Sequence, residues 1–291
     1  MTTSAAVPAV RAAFTKLIDY AGLFPPAKLD MPPALAEYAS EKRGAYAWML
    51  GRFIVPASRV PELLTSSADP AALPLSVIVD AGAEPRAWLS RVQDVFARLA
   101  ETRASIEALE IALPPLQTQR DTYDAAIGQF AAARRQGGFD AVPAFVELPR
   151  DARWHGELDG ALFALARHGL GAKLRCGGIE AAAFPSPQEV AAFLFAAIGE
   201  HRIPVKATAG LHHPVRHRDA TIGVMMHGFL NVLTAAAFAR GGMEPAQLAR
   251  ILECDDPSSF ELNAGGLRWN DRRIAVDELR AVRASGFISY G

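Results

Sequence analysis

Apolar runs of five to seven residues alternate with longer amphipathic stretches along most of this chain, and that alternation constrains its fold more than any other feature. The runs fall at 16–20, 49–55, 75–79, 108–113, 142–148, 171–176 and 203–207. Helical periodicity fills the gaps at 33–42, 60–65, 85–101, 118–136, 157–168 and 187–200. A strand that recurs every ~30 residues with a helix between predicts βαβ units and a parallel sheet. Right-handed crossovers then set successive units side by side. Ser186-Pro187-Gln188-Glu189 has a Ser N-cap, Pro at the first helical position and Glu at the third, so a helix starts there. Gly137-Gly138 and Asp140 end the fourth helix.

We expect an α/β fold of the (β/α)8 TIM-barrel type. A doubly wound open sheet is the competitor, but no GxGxxG follows the first strand, so a dinucleotide-binding domain lacks its fingerprint. Such barrels need about 250 residues, so the 291 residues fit one domain spanning 1–291. The last quarter is irregular. Helices are expected at 228–239, 244–252 and 276–284, with short strands at 260–262, 267–269 and 273–275 and a last segment at 287–290. Either the Phe260 or the Phe287 segment supplies the eighth strand. In the second case no covering helix follows, and the chain is either naturally short or covered by a neighbour in a homo-oligomer.

A formal net charge of -1 gives no basic excess for nucleic acid and no polybasic face for a membrane. The first residues carry no apolar signal core, and no uninterrupted apolar run reaches the ~18 residues of a membrane span. Cys176 and Cys254 lie far apart with no metal-binding spacing. So few cysteines suggest a reducing, cytoplasmic setting.

In a (β/α)8 barrel the chemistry sits at the carboxyl ends of the strands. Polar residues near those ends are Asp19 and Tyr20, Arg52, Asp80, Glu110, Glu147, Lys173 with Arg175, and Lys206. Only five of thirty basic residues are lysine, so two lysines in apolar strands stand out. Lys173 and Arg175 share a strand face. A second lysine on the next strand would favour a neutral amine able to attack a carbonyl. The structural reading is that the lysines pair with Asp19, Glu110 or Glu147. After Lys206 comes the densest polar cluster, His212, His213, Arg216 and His217. Arg216 offers a planar fork for carboxylate or phosphate, and His212, His213 and His217 are candidate metal ligands. His227 reads as a cap or packing residue, and Asn263-Ala264-Gly265-Gly266 as a turn whose glycines could cradle phosphate.

Lys173-Leu-Arg-Cys-Gly-Gly and Lys206-Ala-Thr-Ala-Gly on adjacent late strands resemble the class I aldolases, nearest the deoxyribose-phosphate aldolase group. By strand position the resemblance makes Lys173 the Schiff-base lysine and Lys206 its partner. By motif Lys206 is the nucleophile. The acidic partner is open between Asp80 and Glu147.

The expected function is a class I aldolase-type lyase acting on a small anionic carbonyl compound through a lysine Schiff base, without a cofactor. Lys173, Lys206, Glu147 and Asp19 would carry the chemistry. Arg52, Arg175, Arg216, His212, His213 and His217 would bind the substrate. One alternative is a metal-dependent barrel hydrolase or isomerase, with a divalent metal on His212, His213 and His217. The other is a barrel that only binds an anionic metabolite.

Overall fold

All seven apolar runs become strands, joined by an eighth from the end of the chain. The computed structural model describes residues 7–116, 122–151 and 153–291. The strands are β1 (Ile18–Tyr20), β2 (Leu50–Pro56), β3 (Leu75–Ile78), β4 (Ile106–Ala112), β5 (Ala144–Glu147), β6 (Gly171–Arg175) and β7 (Val205–Thr208). Two short antiparallel groups follow, β8 (His217–Arg218) with β9 (Met225–Met226), and β10 (Phe260–Asn263), β11 (Gly266–Trp269) and β12 (Arg272–Ala275). The last strand is β13 (Phe287–Tyr290). β1 to β7 and β13 close into one parallel (β/α)8 barrel of TIM type.

The helices are α1 (Pro8–Phe14), α2 (Met31–Glu41), α3 (Val60–Ser66), α4 (Pro85–Ala100), α5 (Tyr123–Gln136), α6 (Trp154–Arg167) and α7 (Pro187–Leu194). α8 (Phe229–Arg240), α9 (Pro245–Glu253) and α10 (Val276–Ser285) complete the set. The helix expected over 118–136 is seen from Tyr123, and positions 118–121 lie outside the described residues, as do residues 1–6 of the N-terminal reading. By length and composition the stretch Ala181–Glu200 is apolar enough to cross a membrane. Counting uninterrupted apolar residues passes over it. Half of it is buried here, and α7 packs on α9.

The chain packs as two compact units. The first, Ile18–Lys173 with Gly291, holds β1 to β5 and most of β6. Its strands run in register through Phe53–Leu75, Leu109–Ala144 and Phe145–Gly171. α4 shows how its helices form. Glu84 accepts hydrogen bonds from the Arg86 and Ala87 N–H groups at the N-terminus, and Pro85 occupies the first turn. Trp88, Val92, Val95, Phe96 and Leu99 then recur at helical spacing and are buried. Phe96 meets Phe130 and Phe139 at 6.0 and 5.4 Å. Each large apolar side chain buried this way contributes about 1.5–3 kcal/mol.

The second unit contains the segment up to Leu17 and Leu174–Tyr290. Its α7 starts with the capping box expected at Ser186 and Glu189. α8 is buried on every side from Asn231 to Ala239, the pattern of a helix inside the fold. β13 pairs with β7 through Phe287–Val205 and Ser289–Lys206, so the Phe287 segment is the eighth strand. The Phe260 segment belongs to the separate antiparallel sheet, and 263–266 is its first turn. Elements of the same chain pack on β13. Tyr290 stacks on Phe229 of α8 at 5.5 Å, α10 packs on β13, and α1, which the sequence reading did not anticipate, packs on α10.

Candidate functional site

In the first unit the strands bring an ammonium between two carboxylates. Lys173 Nζ lies 3.0 Å from Glu110 Oε2 and 3.3 Å from Glu147 Oε2. Glu147 ends β5 and is paired in register with Lys173. Glu110 sits deeper on β4, and its Oε1 accepts a 2.5 Å hydrogen bond from the Ser76 hydroxyl on β3. Side-chain exposure rises along this line, from Glu110 at 1% through Lys173 at 6% to Glu147 at 12%. Ser76 is fully buried. Glu147 is therefore the member that faces solvent, and Glu110 is the inner counter-ion. Two carboxylates this close favour the charged ammonium over the neutral amine. The group as a whole can hold, give and accept a proton.

Asp19 and Arg52 do not join it. The Arg52 N–H donates to Asp19 Oδ1 at 2.8 Å, and Arg52 Nη1 lies 3.9 Å from Asp19 Oδ2. Arg52 Nε lies 3.4 Å from Glu107 Oε2. Arg52 is the third residue of β2 and Glu107 the second of β4, so this trio marks the amino-terminal side of those strands. It ties β1, β2 and β4 together. Tyr38 and Lys42 add hydrogen bonds to the Gly51 and Leu50 carbonyls at 2.8 Å. Asp80 is exposed and accepts from the Ser58 N–H. Tyr20 stacks on Phe53 and donates to Glu37 Oε2 at 2.5 Å.

The second unit contains Lys206 and the histidine loop. Lys206 is fully buried on β7 beside the equally buried Ser289 of β13. Arg175 is exposed at the end of β6. The loops after β6 and β7 touch backbone to backbone: a Cβ on Gly210 would lie 3.0 Å from the Cys176 carbonyl and 3.1 Å from Gly177 Cα. Gly210 has φ +74°, and Ala209 before it φ +60°. Farther along, the carbonyls of His213 and Pro214 accept from the Phe229 and Leu230 N–H groups, the first donors of α8. A Cβ on Gly228 would fall 2.4 Å from the Pro214 carbonyl, so only glycine allows this docking.

Asn231, which the sequence reading missed, locks the loop. Its Oδ1 accepts from the Arg216 N–H at 2.9 Å, and its Nδ2 donates to the Ile251 and Cys254 carbonyls at 2.7 Å. Nothing in its local sequence marks a polar residue inside an apolar helix as a loop anchor. His227 is fully buried and its Nε2 donates to the Pro185 carbonyl at 2.8 Å. Burial pushes its pKa down to about 4, so the ring is neutral. Its Nδ1 and Arg216 Nη1 are buried and find no hydrogen-bond partner among the described residues. Burial also lowers the Arg216 pKa, which Glu253 and Asp255 oppose.

His212 and His213 are exposed, and the rings of His213 and His217 lie 3.9 Å apart. Desolvation, then the neighbouring His213 and His217, hold His212 below the usual histidine pKa. Among the described residues no three His, Cys, Asp or Glu side chains are arranged to hold a metal ion. The histidine loop therefore does not fit the divalent ion that the metal reading assigned to it.

No protein-family model and no curated protein matches the sequence. A solved structure of YjjV, a TatD homologue from Escherichia coli K12, aligns with 84% of this chain and 96% of its own, at 15% identity and a TM-score of 0.40. The Lys173 ammonium is tied between two carboxylates instead of being freed as an amine nucleophile. The aldolase-type lyase with its Schiff base is corrected on that pairing, and the expectation of no cofactor falls with the chemistry that prompted it.

Proposed function

We propose that this barrel is an acid–base enzyme of the hydrolase or isomerase class acting on a small anionic metabolite, with Glu147 and Lys173 handling the proton. The observation that carries this reading is the ammonium held between Glu110 and Glu147 toward the carboxyl ends of β4 to β6. Charged groups buried together are costly to desolvate, and costs of this kind cluster at functional sites. Two free thiols fit a reducing cytoplasmic compartment.

The test is NMR turnover of a metabolite panel: hydroxy and keto acids, their esters and lactones, and sugar phosphates. Each is run with Mg2+, Mn2+ or Zn2+ and after chelation. Turnover by the wild type that falls roughly 100-fold or more in Glu147→Gln is expected for a lost acid–base group. Ligand-induced stabilisation without turnover of any panel member would refute the reading and leave a barrel that only binds.

A further inference from the structure

We infer that the reaction at this site is proton transfer at a carbon next to a carbonyl, the interconversion of α-hydroxy aldehydes and ketones, and not hydrolysis. The inference rests on the acid–base reading above and narrows it. Glu147 Oε2 and Lys173 Nζ are 3.3 Å apart. An acid and a base that close suit neighbouring atoms of one substrate. A carbonyl oxygen and the C–H beside it are such a pair. Glycosidic hydrolysis with inversion instead sets its acid and base roughly 6.5–9.5 Å apart, to leave room for the attacking water.

The inner half of the group explains how the ammonium survives when Glu147 turns to a substrate. Glu110 keeps its 3.0 Å contact with Lys173, and Ser76 holds the other oxygen of Glu110 at 2.5 Å. Ser76 and Glu110 are thus positioning residues, and Glu147 and Lys173 the catalytic pair. Glu147 takes the proton from the hydroxyl-bearing carbon. The C–H electron pair becomes the C=C bond of an enediol, and the carbonyl π pair moves onto oxygen, which takes a proton from Lys173. Lys173 recovers a proton from the neighbouring hydroxyl as that oxygen becomes the new carbonyl. Glu147 delivers its proton to the former carbonyl carbon. The product is an isomer of the substrate, with no oxidant or co-reactant.

The experiment incubates the full chain in D2O with glyceraldehyde, dihydroxyacetone, their phosphates and erythrulose, and in parallel with esters and lactones. Proton NMR follows loss of the α-C–H signal, isomer formation and hydrolysis. Deuterium incorporation above the protein-free rate, cut roughly 100-fold or more in Glu147→Gln, is the expected result. Glu147→Asp, which keeps the charge and shortens the reach, should lose rate without losing stability. Ser76→Ala should lower kcat with KM unchanged, and Ser76→Thr should restore it. Glu147-dependent hydrolysis without isotope exchange would overturn this inference and leave the acid–base reading standing. Neither exchange nor hydrolysis by the wild type would overturn both.

Discussion

Replacing Lys173 by methionine removes the ammonium that contacts both Glu110 and Glu147 while keeping most of the side-chain volume. Breaking a buried ion pair from one side costs about 3–5 kcal/mol, because the remaining charge stays uncompensated. Glu110 is 1% exposed and feels the full penalty, whereas Glu147 at 12% is partly rehydrated. The lower end of the range applies, about 3 kcal/mol. Glu110→Gln leaves Lys173 with Glu147 and should cost less, about 1–2 kcal/mol for one weakened charge-assisted hydrogen bond. The double variant should then be more stable than the sum of the two losses predicts, by about 1–3 kcal/mol. Urea unfolding followed by tryptophan fluorescence and circular dichroism measures all three. A loss below about 1 kcal/mol for Lys173→Met, or strict additivity with Glu110→Gln, would refute the triad as described.

His227 gives a pH signature. Its pKa is depressed to about 4 in the folded protein, so its contribution is fully present above the unfolded value of about 6.5 and is lost as pH falls toward 4. That window is worth about 3 kcal/mol. Urea midpoints measured from pH 7.5 to 4.5 should fall more steeply for the wild type than for His227→Gln. Asn231→Ala removes three side-chain hydrogen bonds, at about 1 kcal/mol each. Chemical denaturation should show a loss near 3 kcal/mol, with faster proteolysis of residues 212–217. Gly210→Ala puts a Cβ on a residue at φ +74° and within 3.1 Å of Gly177 Cα. Calorimetry should register a destabilisation of about 1–3 kcal/mol.

The barrel was legible because burial on both faces makes each strand an apolar run, and the helices between them keep their own period. The eighth strand was ambiguous for the same reason: the Phe260 and Phe287 segments are both short and apolar, and only partner choice separates them. The helix Pro8–Phe14 was passed over, although it supplies cover against α10. At the site, Lys173 with Glu110 or Glu147 was foreseen as an ion pair, but as the structural alternative to a reactive amine. Sequence cannot weigh those two, because the answer depends on distances between strands. Ser76 was invisible, since one serine in an apolar strand has no periodic signature. The contact of Arg52 with Glu107 was not legible, because it depends on how β2 and β4 lie across the barrel wall.

The contact between Gly210 and the backbone of Cys176 and Gly177 has a consequence for anyone redesigning this scaffold. Loop grafting usually treats the connections at a barrel's mouth as interchangeable modules. Here the segments following β6 and β7 interlock through glycines with no side chain to trim or rotate. They form a single transplantable cassette. Variation introduced into one alone should be rejected unless the other is diversified in the same library.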